Sequence, residues 1–314
     1  MRPLRPATAH RTDPVRIRFA IVLIAGVLAL TGAGATFGTE IAAVDDAGTR
    51  LTLAQPARRI VSLSPHLTEL VYAAGAGDRL VGVSRYSDHP AAARALPVLS
   101  DAFTLNLEAI RAARPDLVLV WQSGTAQRSR DALKAMAQRE GFAVWEGESR
   151  DVEGIASTLE RIGRLSGTSA TANAEAAAQR AAWAALVARW QGAAPVRVFY
   201  QVWDAPLMTF NREHGVSRAL AACGAVNGFG QLASLTPTVS REAVLAFDPQ
   251  LILSGSDDPQ RALAAWRALP RISAVRHGQL KGVPGDVLTR MGPRFVQAAS
   301  QLCERVDAAR ATAK

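Results

Sequence analysis

The sequence predicts an α/β protein of two similar lobes, each with a mostly parallel sheet, joined by one long rigid helix. Three observations carry that expectation. Short β-branched runs alternate with segments of helical spacing over most of the chain, as in successive βαβ units. The stretch Asn106–Leu119 returns as Ser240–Leu253 at a constant offset of 134, without a gap. Between the two copies, Ala174–Trp190 is dense in alanine and free of Gly and Pro, which favours an uninterrupted helix.

The elements follow in order. Residues 36–55 form a lead in which Ala42–Leu53 alternates around an Asp46-Ala47-Gly48 turn, a β-hairpin pattern. A first lobe is expected over 56–165. Its strands are Arg59–Leu63, ended by Ser64-Pro65, then Leu80–Val83, Leu117–Trp121 and Phe142–Trp145, with a helix over Thr68–Ala74 that stops at Gly75. Val152, Ile155, Leu159 and Ile162 lie on one helical stripe, broken at Ser166-Gly-Thr168. The spanning helix is placed at 166–193 and ended by Gly192-Ala-Ala-Pro195. A second lobe over 194–314 opens on the strand Val196–Tyr200 and closes with a helix from about Arg294. In both copies of the repeat Asn or Ser caps a helix, Glu sits in its first turn, Pro breaks it, and an apolar strand follows. Gly75-Ala76 and Gly224-Ala225 each follow an Ala-rich helix in their half. Two Rossmann-like lobes with a cleft between them are a default site for a small ligand.

At 49% apolar and 20% charged residues the 314-residue chain can build a sizeable core, and disordered, collagenous and coiled-coil classes are excluded. Arg2, Arg5, Arg11, Arg16 and Arg18 precede the apolar run Phe19–Leu30 and a small-residue Ala33-Gly-Ala35 site, which reads as a cleaved secretory signal peptide over 1–35, with an uncleaved anchor as the alternative. The mature chain is expected to be exported. Removing five Arg and one Asp lowers the formal charge from +9 to +5. No block of like charge or basic stripe with interleaved aromatics occurs, so nucleic acid is not expected as a partner. Cys223 and Cys303 are expected to pair in an exported protein, and no clustered Cys or His around them forms a metal site. The sequence contains no Gly-x-Ser-x-Gly elbow, Walker loop, Gly-x-Gly-x-x-Gly turn or His-Glu-x-x-His helix. A cleft hydrolase built on Ser64 and His66 is therefore a remote alternative, since Ser64-Pro-His66 reads as a strand-ending turn, and the chain is expected not to be an enzyme.

The strings Arg59-Ile-Val-Ser-Leu-Ser-Pro-His-Leu-Thr-Glu-Leu70 and Gly75-Ala-Gly-Asp-Arg-Leu-Val-Gly-Val-Ser-Arg-Tyr-Ser-Asp-His-Pro90, with Val239-Ser-Arg-Glu242 and Gln301-Leu-Cys303, resemble the helix-linked periplasmic binding proteins of ABC importers. That family carries cobalamin, haem and iron–siderophores, and the resemblance runs from about Asp45 to Asp307. It implies a monomeric receptor with no catalytic cofactor, which holds cobalamin as transported ligand between its lobes and delivers it to an ABC permease. It also implies a Cys223–Cys303 bridge. Glu108 and Glu242 match two acidic residues that dock onto permease arginines, one per lobe; on residue chemistry alone each is simply favourable at a helix N-terminus. Tyr86 matches a tyrosine that packs on the corrin ring.

Other positions depart from the family's pattern. A tryptophan expected before the first-lobe helix falls on Ala102, beside Phe103; another becomes Thr236; a further aromatic becomes Val287, beside Leu288. Trp203, Met208 and Phe210 lie in the matching loop of the second lobe and are expected to supply replacement area. Haem would want Tyr or His aimed at iron, with His66, His89 and His214 as candidates. A siderophore anion would want an arginine cluster, with Arg85, Arg212 and Arg290 as candidates. The ligand-contact set expected from the sequence is Tyr86, Phe103, Trp203, Phe210, Leu288 and Arg290.

Overall fold

The structure, a computed structural model, describes residues 41–101 and 103–312. The signal-peptide segment 1–35 and Ala102 lie outside them. Among the described residues no helix is long and apolar enough to cross a membrane.

The hairpin pairs β1 (Ile41–Val44) with β2 (Arg50–Leu53) antiparallel, Ile41 opposite Leu53. Its turn is locked because the Asp45 carboxylate accepts from the Ala47 and Thr49 amides at 3.0 and 2.7 Å. Asp46 pins the hairpin to the first lobe through the Glu148 amide (2.6 Å) and Arg161 (2.7 Å).

The first lobe runs β3 (Ile60–Ser62), α1 (Pro65–Ala73), β4 (Leu80–Ser84), β5 (Val98–Ser100), α2 (Leu107–Ala112), β6 (Leu117–Trp121), α3 (Gln127–Glu140), β7 (Ala143–Gly147) and α4 (Val152–Ser166). Its sheet is all parallel, in the order β5-β4-β3-β6-β7. Pro65 opens α1, because its missing N–H is free anyway at that position, so the strand-ending turn expected at Ser64-Pro-His66 is the start of a helix.

After α5 (Ser169–Trp190) the second lobe runs β8 (Val196–Gln201), the two-residue pair β9 (Trp203–Asp204) and β10 (Leu207–Met208), α6 (Gly215–Ala222), β11 (Ala225–Asn227), α7 (Arg241–Phe247), β12 (Leu251–Ser254), α8 (Pro259–Ala262), α9 (Ser273–Arg276), β13 (Leu280–Gly282), α10 (Gly285–Thr289) and α11 (Phe295–Thr312). The main sheet is again all parallel, ordered β11-β8-β12-β13. With β8 laid on β3 and β12 on β6, this is the first-lobe order without its edge strand. The duplication read from the sequence is thus a duplication of topology.

Helix α5 crosses from one lobe to the other. At 22 residues it is about 33 Å long. Its first turn lies against Gly75, whose Cβ position is 3.0 Å from Thr171, and it packs on α4 where Gly163 lets Ala172 come close. Further along, Gln179 donates to the Pro293 carbonyl at 2.8 Å and Trp183 packs on Phe295 with ring centroids 6.2 Å apart. Apolar residues of both lobes and of α4, α5 and α11 form one continuous core around Leu70, Trp145, Tyr200 and Phe295. Cys223 and Cys303 form a disulfide between the end of α6 and α11, with Cα atoms 5.0 Å apart. Closing an 80-residue separation in this way limits the unfolded chain by about 4 kcal/mol.

Candidate functional site

The carboxyl ends of the parallel strands, where α/β sheets place their ligand sites, carry the exposed aromatics. Tyr86 follows β4 in a tight turn in which the Ser87 amide donates to the Ser84 carbonyl at 3.2 Å. The Ser84, Ser87 and Thr68 hydroxyls interlock beneath it at 3.0–3.1 Å. Tyr86 itself takes φ +66°, a left-handed backbone that costs a non-glycine residue about 1–2 kcal/mol. The ring is 68% exposed. Phe103, 89% exposed, is presented by an Asx turn: the Asp101 carboxylate accepts from the Phe103 and Thr104 amides, both at 2.9 Å, and these donors hold its pKa below the usual carboxylate value.

Trp121 ends β6 with its ring edge-on to His66, centroids 5.3 Å apart. A Cβ on Gly124 would lie 1.8 Å from that ring, so the loop after β6 needs glycine there. Pro65, Tyr86, Phe103 and Trp121, with Arg85 and Arg290, line a recess of about 240 Å³. Flat apolar walls with a few polar groups suit a bulky planar ligand. Trp121 was missing from the sequence-derived set, because an apolar run ending in Trp reads as core.

The second lobe supplies less than expected. Trp203 is exposed, its indole N–H donating to the Ala205 carbonyl at 3.0 Å, and lies outside the recess. Phe210 and Leu288 correct the expectation: both are buried. Phe210 stacks on His214 with centroids 3.5 Å apart and packs against Tyr200, and Leu288 is fully covered on the core-facing side of α10. Neither ring nor side chain reaches the cleft surface.

Arg290 stands at the lobe seam. Glu69 of α1, 2% exposed at its side chain, accepts from Arg294 through both oxygens (2.9 and 2.6 Å) and lies 3.6 Å from Arg290, which also reaches Asp88 at 3.3 Å. The Arg290 guanidinium lowers the Asp88 pKa against the opposing effect of burial, and donating to the Glu69 carboxylate raises that of Arg294. Glu69→Ala would leave two partly buried guanidiniums of the second lobe without the first-lobe carboxylate they share. It is expected to cost about 3 kcal/mol, the low end for such pairs because both arginines keep some solvent. A lowered urea midpoint checks this, with Glu69→Gln intermediate.

The histidine and arginine alternatives are dispersed. His66 is buried and pairs with the Ser64 hydroxyl at 2.5 Å; His214 accepts from the Val216 amide at 3.2 Å; His89 is exposed ahead of Pro90. Arg212 turns to Gln231 and Glu213, away from Arg85 and Arg290. Among the described residues no group of His, Cys, Asp or Glu could hold a metal ion.

Glu108 and Glu242 occupy the first turns of α2 and α7. The helices are capped alike, the Asn106 and Ser240 side chains accepting from Ala109 and Ala243 amides at 3.0 and 3.1 Å. Both carboxylates are exposed, and neither has an ion-pair or hydrogen-bond partner among the described residues.

A family model described as periplasmic binding protein matches residues 60–287. The vitamin B12-binding protein of Vibrio cholerae is 34% identical over 254 residues, covering 79% of this chain and 88% of that protein. The crystal structure of the periplasmic vitamin B12 binding protein of Vibrio cholerae superposes with a TM-score of 0.73 at 33% identity, over 81% of this chain and 98% of that one. The periplasmic haem-binding protein of Roseiflexus sp. RS-1 shares the fold, with a TM-score of 0.69 at 23% identity over 81% of this chain and 99% of that one. Fold, topology and sequence agree, and the chain belongs to the periplasmic binding protein family.

Proposed function

We propose that this chain is a periplasmic receptor that captures cobalamin in the cleft between its lobes and delivers it to an ABC permease, acting as a monomer, without turnover and without nucleic acid as a partner. Residues 1–35 would direct export and be removed. The observation that carries the ligand reading is the recess of Tyr86, Phe103 and Trp121, flat apolar area held outward on rigid turns, in a chain whose relatives include vitamin B12-binding proteins. Trp203 would meet the ligand from the second lobe, and Arg290 would meet its polar periphery. Glu108 and Glu242, unpaired and equivalently placed, are the docking carboxylates of this reading.

Titration of the purified mature protein with cyanocobalamin, haemin and a ferric siderophore, followed by tryptophan quenching, tests it directly. Cyanocobalamin is expected to bind tightest and stoichiometrically, and tighter haemin would move the protein to the haem class. Tyr86→Ala is expected to weaken cyanocobalamin by about 1–3 kcal/mol, roughly fivefold to 150-fold, as for a single aromatic anchor. An unchanged affinity would remove Tyr86 from the site.

A further inference from the structure

Two arginines outside the cleft occupy the same place in both lobes. Arg59, just before β3, donates from Nε to the Ala113 and Arg114 carbonyls at 3.1 and 3.0 Å and from Nη2 to Ala113 at 2.7 Å. Arg197, on β8, donates from Nε to the Asp248 carbonyl at 2.8 Å and from Nη2 to its carboxylate at 3.2 Å. Arg114 and Asp248 stand at equivalent positions of the repeat, and both take the left-handed backbone, φ +45° and +48°. Each also precedes a proline, where the chain has little freedom. The backbone reciprocates in the same way in both lobes: the Asp116 and Gln250 amides each donate to the Arg59 and Arg197 carbonyls at 2.8 Å. The Asp116 and Gln250 side chains each accept from the Arg59 and Arg197 amides at 2.9 Å.

We infer that Arg59 and Arg197 are positioning residues for permease engagement, each clamping the carboxyl end of the short helix that presents Glu108 or Glu242. The inference rests on the docking reading of those glutamates. Helices of six and seven residues, about 10 Å long, do not hold themselves in water. Their direction is set by what grips their two ends. The Asn or Ser cap grips one; the guanidinium grips the other, where the exposed carbonyls and the negative end of the helix attract a cation. The two copies of the helix differ at most other positions, yet the cap, the glutamate, the left-handed residue before proline and the arginine clamp are common to both. Two clamps at matched places fix the spacing between two carboxylates that must meet one partner at once.

The test compares Arg59→Gln/Arg197→Gln, each single variant, Arg59→Lys/Arg197→Lys and Glu108→Ala/Glu242→Ala. The readouts are cyanocobalamin affinity, association with a cobalamin-importing ABC permease in nanodiscs, and amide exchange. The Gln double variant is expected to lose about tenfold in permease association while its cyanocobalamin affinity stays within about twofold of the parent. Arg59→Gln should speed exchange over 107–112 and leave 241–247 unchanged, and Arg197→Gln the reverse. The Lys pair, keeping the cation but not the fork, should recover part of the association. Wild-type permease association of the Gln pair, beside a defective glutamate pair, overturns the inference and leaves the docking reading standing. Wild-type association of the glutamate pair overturns both. If the Gln double variant fails to fold, the single variants decide, and exchange that does not change locally overturns the clamp.

Discussion

Acidification from pH 7.5 to 5 is expected to remove about 4 kcal/mol of folding stability, about half through each of His66 and His214. Burial lowers the pKa of both imidazoles to about 4, with the Arg290 guanidinium adding to the effect at His66. Their unfolded value is near 6.5, so between the two values the unfolded chain binds more protons than the folded one. The stabilisation is complete above about pH 6.5 and is lost progressively as pH falls toward 4. The geometry explains why neither can accept a charge. The His214 Nδ1 caps α6 by accepting from Val216, and a protonated ring would present a donor to that donor, at the positive end of a helix. His66 lies in the first turn of α1 between Ser64, Trp121 and the Arg290 side, with Glu69 already taken by Arg294. Asp88, Asp101, Glu153 and Asp248 have lowered pKa values, so their contributions disappear only at lower pH, below the ordinary carboxylate range. Urea midpoints of the parent and of His66→Gln/His214→Asn across this range provide the check. The variant should show a nearly flat profile between pH 5 and 7.5, and a slope equal to the parent's would refute the assignment.

Replacing Glu108 and Glu242 together with Ala is expected to cut cobalamin uptake below about a tenth of the parent's while leaving ligand affinity and stability nearly unchanged. Neither carboxylate lines the recess or pairs with a neighbour, so their removal costs only a favourable helix-end interaction of about 0.3–1 kcal/mol each. On the docking reading, their effect is reserved for encounter and register with a cationic partner. Each single replacement should be intermediate, and added salt should weaken parent docking more than that of the double variant, because exposed charges are screened over about 10 Å at 0.1 M. Uptake assays in a strain lacking its own receptor, paired with fluorescence titration, separate the two quantities. Lost affinity would place the glutamates in the cleft instead.

What the chain announced in advance was its periodicity. The hairpin, β3, β4, β6, β7, β8 and the α4–α5 pair lie where β-branched runs and apolar stripes put them, and the repeat foretold caps at Asn106 and Ser240. The three-residue strand β5, next to Pro97, is too short to show a period, and β9 and β10 are shorter still. Side-chain placement was less legible. Phe210, in a loop, and Leu288, on α10, line up with ligand contacts, but stacking on His214 draws the one inward and the buried face of its own helix the other. Trp121 went the other way: it is exposed at the end of β6, with the loop at Gly124 lying against its ring. The Glu69–Arg294 pair joins residues 225 positions apart, and no local pattern can announce such a partnership. Tyr86 and Phe103 were found by alignment with a family; the turns that push them outward became visible only in three dimensions.

Helix α5 carries one further implication. It contains neither glycine nor proline and is anchored to a lobe at each end, so it offers no pivot about which a jaw could swing. A receptor of this build would show nearly the same silhouette empty and laden.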